Sequence, residues 1–226
     1  AFSHARDVQT EMLSRFKEIG REQLDELDRS PDEVAVVLCG RPYNAWSKMG
    51  NKGIPHKFAS RGYRVIPCDF LDIEGEEDPE HVYWGMGETN VKAGKFIAKR
   101  DNLFGVYITN FSCGPDSFVV DYFRREQGRK PSLTLELDNH TADAGLDTRI
   151  EAFLDVIKTY RELQAHGDIP AEKPFCTARI ETKGGKLRVI DSKGRRYPLT
   201  HPRVHMLIPS MLDLGSRCFA AVLRHA

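Results

Sequence analysis

The run Val34-Ala35-Val36-Val37-Leu38-Cys39 constrains the fold more than any other segment. It is short, β-branched and apolar at every position, and it lies between the turn residues Ser30-Pro31-Asp32 and Gly40-Arg41-Pro42. A strand with one wet face alternates polar and apolar residues. This one does not, so it reads as a strand covered on both faces, as in a parallel sheet between helical layers. The same theme recurs downstream. Tyr63–Pro67, Leu103–Thr109 and Ser132–Leu137 read as further strands. Helices are expected between them. One spans Pro55–Arg61, and one starts at an Asp78 N-cap with Pro79 behind it and runs to about Lys99, weakened by Gly85 and Gly87. A third covers Pro115–Glu126, and a fourth begins at the capping box Thr148-Arg149-Ile150-Glu151 and runs to about Gln164. Such alternation predicts an α/β fold, a Rossmann-like or flavodoxin-like parallel sheet with helices on both faces. The expected spatial order is second strand, first, third, fourth.

Ahead of this region, residues 5–28 carry Val8, Met12, Leu13, Phe16, Ile19 and Leu27 at helical spacing and read as an amphipathic helix. Behind it the pattern changes. Ala178–Thr182 and Lys186–Ile190 flank Lys-Gly-Gly, a hairpin signal. Val204–Ile208 reads as a buried strand and Leu212–Arg224 as a helix. In this kind of fold such a helix leads on to another parallel strand. The segment therefore reads as the start of a second, incomplete α/β unit of a longer protein. The expected division is residues 1–31 as an N-terminal helix, 32–166 as the α/β domain, and 167–226 as the hairpin and incomplete unit.

Lys+Arg and Asp+Glu both number 33, so a basic footprint for nucleic acid or an anionic membrane is missing. At 29% charged residues, with no apolar run near the ~20 residues a span requires, a membrane protein is not expected. The first residues lack the basic and apolar regions of a signal peptide. Five widely spaced cysteines do not read as a disulfide framework. A reducing, cytoplasmic setting is expected.

In an open parallel sheet, ligands bind beyond the carboxyl ends of the strands. Cys39, Cys68 and Cys113 each fall at such an end. Three thiolates suffice to hold a 4Fe–4S cluster. Equally, buried cysteine behaves as a small hydrophobe, and for Cys39 and Cys68 packing is the competing reading. Cys113 differs, because Gly114 relaxes the backbone and Pro115 opens a helix, whose positive end favours thiolate. A second constellation, Glu136, Asp138, His140 and Asp143, also leaves a strand end. It would bind a divalent metal or do acid–base work, or it is a polar loop bonding backbone amides and Arg149. Arg41 would hold a phosphate or carboxylate, or pair with that acidic loop. There is no phosphate-loop motif, Gly85-Met86-Gly87-Glu88-Thr89-Asn90 lacks the third glycine of a dinucleotide fingerprint, and no CxxC pair suggests zinc.

Three stretches together are familiar: Gly40-Arg41-Pro42-Tyr43-Asn44, Cys113-Gly114-Pro115-Asp116-Ser117-Phe118, and Glu136-Leu137-Asp138 through Asp143-Ala144-Gly145 to Thr148-Arg149-Ile150-Glu151-Ala152-Phe153. In this order they resemble the CoA-substrate-specific enzyme activases, activators of 2-hydroxyglutaryl-CoA dehydratase, over roughly residues 34–157. In that family an actin-like ATPase region is joined to a region related to the dehydratase subunits, which carry a 4Fe–4S cluster between α/β subdomains. This chain resembles the dehydratase-like region. The resemblance implies an electron-transfer domain of an ATP-driven, anaerobic activator of 2-hydroxyacyl-CoA dehydratase-type enzymes. Its partners would be the ATPase region or subunit and a dehydratase-like reductase. Cys113 would ligate iron, Gly114 and Pro115 would shape the loop, and Arg41, Asn44, Glu136, Asp138 and His140 would line the crevice. The family pattern starts at Gly40 and does not include Cys39 or Cys68, so further ligands are expected outside this segment. By this reading the segment alone catalyses nothing. The alternative is a metal-free module binding an acyl-CoA or nucleotide through Arg41 and helix N-termini. A thiol- or metal-dependent hydrolase using Cys113 or the acidic loop ranks last, because no nucleophile–base pair can be placed.

Overall fold

The computed structural model describes residues 2–111, 114–138, 140–169, 176–205 and 212–225. The chain divides into two compact units, Ala1–Glu172 and Lys173–Ala226. In the first, β1 is Ala35–Gly40, β2 is Arg64–Pro67, β3 is Leu103–Thr109 and β4 is Ser132–Glu136. All pairings are parallel and the order is β2-β1-β3-β4, as the strand–helix alternation predicts. β1 and β3 are buried at every residue, which is why they carry no polar alternation.

Helices cover both faces. The apolar residues of β1 are shared between them by the two-residue pleat. Ala35, Val37 and Cys39 meet Leu24 and Leu27 of α1 (Phe2–Asp28), Val91 and Ile97 of α4 (Gly85–Ala98), and Val119 and Phe123 of α5 (Asp116–Gln127). On the other face Val36 and Leu38 meet Phe58 of α3 (Ile54–Ala59) and Leu146, Ile150 and Phe153 of α6 (Asp143–His166). Full burial of one such side chain contributes roughly 1.5–3 kcal/mol. The short α2 (Pro42–Ala45) follows β1 directly. β1 ends on Gly40, at φ 144°, where a Cβ would come within 2.4 Å of the Ile108 carbonyl oxygen. Only glycine lets β1 and β3 stay this close at their carboxyl ends.

Two expected helix starts move. α4 begins at Gly85 and not at Asp78-Pro79. His81 takes a left-handed φ of 65°, which interrupts any helix through that stretch, and the Asp78 carboxylate takes Lys92 at 2.5 Å instead of capping backbone amides. α6 begins at Asp143, five residues before the apparent capping box. Thr148 sits inside the helix and its hydroxyl donates to the Ala144 carbonyl at 2.9 Å. The local motif lost to the apolar contact of Leu146, which extends the buried stripe one turn earlier.

In the second unit β5 (Arg179–Lys183), β6 (Lys186–Ile190) and β7 (Arg196–Pro198) form an antiparallel sheet in that order. Gly184 and Gly185, at φ 59° and 75°, make the two-residue turn the hairpin needs. β7 is invisible to hydrophobic pattern. It forms because Asp191 accepts the N–H groups of Lys193 and Arg195 and turns the chain back onto β6. α7 is Asp213–His225. The strand expected at Val204–Ile208 is not formed at Val204, whose N–H closes a turn on the His201 carbonyl at 2.8 Å; Met206, Leu207 and Ile208 lie outside the described residues. No helix among the described residues is long and apolar enough to cross a membrane.

Candidate functional site

The carboxyl ends of β1 and β3 open into a crevice of about 500 Å³, lined by Arg41, Tyr43, Trp84, Gly85, Tyr107 and Asp116 among others. Its chemistry centres on Asp116, in the first turn of α5 and 3% exposed. The Thr109 hydroxyl donates to one carboxylate oxygen at 2.6 Å, and the Tyr107 hydroxyl to the other at 3.2 Å. Arg41 Nε reaches that second oxygen at 3.2 Å, and Arg41 Nη1 donates to the Tyr43 hydroxyl at 2.6 Å. The carboxylate is therefore engaged on both oxygens and serves as a fixed counter-ion, not as a free base. Burial, reinforced by Asp116, pushes the Tyr107 phenol up, so it remains a neutral donor.

Sequence and strand geometry explain this convergence. Tyr107 and Thr109 are two residues apart and point to the same side of β3. Arg41 follows β1 in extended conformation at the N-cap of α2. Pro115 is the N-cap of α5, and the α5 amides of Ser117, Phe118 and Val119 already bond Gly114 and Pro115 carbonyls. The N-terminus of α4 is different. Its N-cap Trp84 makes no side-chain cap, and Gly85, Met86 and Gly87 line the crevice ahead of the first intrahelical bond, Glu88 N–H to the Trp84 carbonyl. Trp84 stacks on Phe118 at 6.5 Å, and Tyr43, Trp84, Met86 and Phe118 all remain substantially exposed around the rim.

The expected site residues separate into groups. Arg41 and Pro115 line the crevice, and a Cβ on Gly114 would lie 3.5 Å from Arg41 Nη2. Asn44 is a buried residue of α2, with its Nδ2 lacking a hydrogen-bond partner among the described residues. Glu136 ends β4 and is exposed, and Asp138 and His140 follow it on the same sheet edge. None of these three is among the residues lining the crevice. Asp138 builds its own loop: its carboxylate accepts the Thr141 hydroxyl at 2.6 Å and the His140 N–H at 2.8 Å, and the Thr141 bond leads in holding its pKa below the usual range. Arg149 donates to the Thr134 carbonyl at 2.9 Å, and Arg41 pairs with Asp116.

Cys39 and Cys68 lie inside the core, 0% and 1% exposed. They follow the paired residues Leu38 and Pro67 on adjacent strands and face each other. Burial first, then Cys68, pushes the Cys39 thiol well above its ordinary range. The Cys68 thiol is turned toward Asn90 Oδ1 at 3.8 Å, an oxygen that also accepts the Gly40 N–H at 2.9 Å. A 4Fe–4S cluster requires thiolates. A sealed pair in which burial keeps the Cys39 thiol protonated does not fit that demand and suits the packing alternative. Cys113 lies outside the described residues. Among the described residues no group of three or more His, Cys, Asp or Glu is gathered to hold a metal ion.

Asp116 stood in the Cys113–Phe118 motif without a role of its own, and Tyr107, Asn90 and Trp84 were assigned none. Tyr107 and Thr109 were detectable as polar groups at strand spacing in an otherwise apolar strand. Asn90 and Trp84 carried no local signal. Residues 1–71 match the family model described as CoA enzyme activase uncharacterised domain. The match agrees with the family resemblance carried by the motifs from Gly40 to Phe153, most of which lie beyond it. No curated protein and no solved structure matches the chain.

Proposed function

We propose that this chain serves a CoA enzyme activase system, and that the crevice beside Arg41 is a binding site for an acyl-CoA or nucleotide. The observation that carries this is the placing of Arg41 next to the uncapped N-terminus of α4 in an aromatic-rimmed cavity. Arg41 and Asp116 neutralise each other, so the helix end, roughly half a positive charge, leaves the crevice net positive. A phosphate or thioester oxygen would meet the Gly85–Gly87 amides and Arg41. Trp84 and Tyr43 would take a flat ring. With the Asp116 carboxylate engaged on both oxygens, the role is recognition and not acid–base catalysis. The cavity volume lies within the ~300–1,000 Å³ usual for small-molecule sites.

The test is calorimetric titration of the protein with CoA and with ADP. One of them should bind, and Arg41→Gln should weaken it at least tenfold, about 1.4 kcal/mol. If neither binds, or if Arg41→Gln binds as well as the parent, the crevice is not this site.

A second reading, favoured by the Cys-Gly-Pro-Asp motif at the start of α5, is a 4Fe–4S cluster with Cys113 as ligand and an electron-transfer role between an ATPase region and a dehydratase-like reductase. Gly114, which follows Cys113 in the chain, lies beside Arg41. Such a cluster would supply low-potential electrons, and Arg41 would balance its charge. Iron and acid-labile sulfide measured on anaerobically purified protein decide this reading. Cys113→Ser should lose the iron, and Cys39→Ala should keep it.

A further inference from the structure

A second cavity, of about 580 Å³, lies away from the crevice, at the free edge of β2. Its wall is formed by Phe16 of α1, Trp46, Val65 of β2, and Asp69 and Phe70 of the 3-10 turn Cys68–Phe70. Phe16 and Phe70 stack at 4.7 Å and 10°, making one continuous aromatic surface. Apart from Asp69 the lining is almost wholly apolar, with Asn51 already spent: its amide nitrogen donates to the Ala45 carbonyl at 3.0 Å and its oxygen accepts the Gly53 N–H at 3.0 Å.

Asp69 is out of place in such a setting. It is half-buried, and the loss of water raises its pKa. A carboxylate in that position normally has a cation. Here the cations on the adjacent helix are committed elsewhere: Lys17 pairs with Glu74, and Arg21 with Asp72 at 3.4 Å. Among the described residues no Lys, Arg or His forms an ion pair with Asp69, and His56 at the same cavity forms none either. Its remaining neighbours are weak donors. The Cys68 thiol approaches at 3.9 Å, and the buried Trp46 indole N–H, which makes no other hydrogen bond, faces the carboxylate and offsets part of the cost of its burial. The cavity therefore combines an uncompensated negative charge, aromatic rings and apolar walls. Each of these favours a cation with an apolar body: the carboxylate by Coulomb attraction, the rings by cation–π attraction worth roughly 0.5–2 kcal/mol.

We propose that the cavity lined by Phe16, Trp46, Asp69 and Phe70 binds an organic ammonium ion carrying a small apolar or aromatic group. The ammonium lies against Asp69 and the apolar group fills the space between α1 and α3. An anion is rejected by the same carboxylate, so this site and the crevice beside Arg41 select opposite charges.

The probe is phenethylammonium, compared with 2-phenylethanol, which has the same ring and chain without the charge. The protein has two tryptophans, so in a Trp84→Phe background Trp46 alone reports binding by fluorescence. The ammonium should bind at least tenfold more tightly than the alcohol. Asp69→Asn should remove that preference while leaving the alcohol unchanged. Arg41→Gln should leave both unchanged, which separates this site from the crevice. Thermal melts of the unliganded variants establish that they are folded. The charge comparison on the protein with Asp69 intact needs no cavity variant. Equal binding of the two probes, or no binding of the ammonium, overturns the proposal.

Discussion

Lys130 offers a test with a sign that can be worked out from the structure. It is 8% exposed, in the loop after α5. Its ammonium donates to the Ile97 carbonyl at 2.9 Å and to the Arg100 carbonyl, closing the end of α4, and lies 5.0 Å from the Phe104 ring centre. Burial lowers its pKa from 10.5 to about 8. At ~1.36 kcal/mol per pH unit that gap corresponds to roughly 3 kcal/mol. Because the folded-state pKa is depressed, the unfolded chain holds a proton between pH 8 and 10.5 that the native protein lacks. Stability should therefore rise with pH through that window. Other groups act the other way. Burial raises the Cys39 thiol and the Tyr107 and Tyr160 phenols, so the native state keeps protons that the unfolded chain loses above about pH 8.5 and 10. Parent protein alone would show a muted profile. The difference between parent and Lys130→Met cancels the shared contributions. Urea unfolding of both proteins, followed by tryptophan fluorescence at intervals from pH 7.5 to 10.5, should show the parent gaining about 3 kcal/mol on the variant. A difference that stays flat within about 0.5 kcal/mol, or that falls, would refute the assignment of a desolvated ammonium.

Asp116→Ala should destabilise the first unit by about 2–5 kcal/mol, seen as a lower urea midpoint, because the buried Tyr107 and Thr109 hydroxyls lose their acceptor along with the Arg41 partner. In Gly20→Ala the added Cβ would fall 1.8 Å from the Phe70 carbonyl oxygen, so α1 has to move off the 3-10 turn. That should cost about 1–3 kcal/mol net of the helix-propensity gain, and hydrogen exchange should show faster opening of α1. Cys39→Ser places a hydroxyl in the sealed core and should cost about 1–3 kcal/mol, whereas Cys176→Ser, exposed, should stay within about 0.5 kcal/mol by thermal melt.

The strands of the parallel sheet and their order were legible in the chain, the central ones because burial on both faces writes itself as unbroken apolar runs, as at Val34–Cys39 and Leu103–Thr109. The hairpin was legible for a similar local reason, since Gly184-Gly185 meets a backbone demand that few other pairs can. Helix starts were less so. Asp78 and Thr148 both look like caps, and which carboxylate or hydroxyl actually caps depends on whether a more distant partner, Lys92 or the apolar stripe of α6, claims the segment first. The crevice was half legible. Position at a strand's carboxyl end is enough to nominate Arg41, and its neighbour Pro115, because the parallel sheet gathers all such ends on one edge. What occupies that edge was settled by contacts between residues far apart in the chain. Arg41 meets Asp116 across 75 positions, Asn90 reaches back 50 to Gly40, and Trp84 arrives from the irregular stretch before α4. A pairing of this kind leaves no trace in local composition. The cysteines show the same division: sequence places Cys39 and Cys68 at strand ends, but only packing decides that their side chains turn inward under α4, where loss of water keeps the Cys39 thiol protonated.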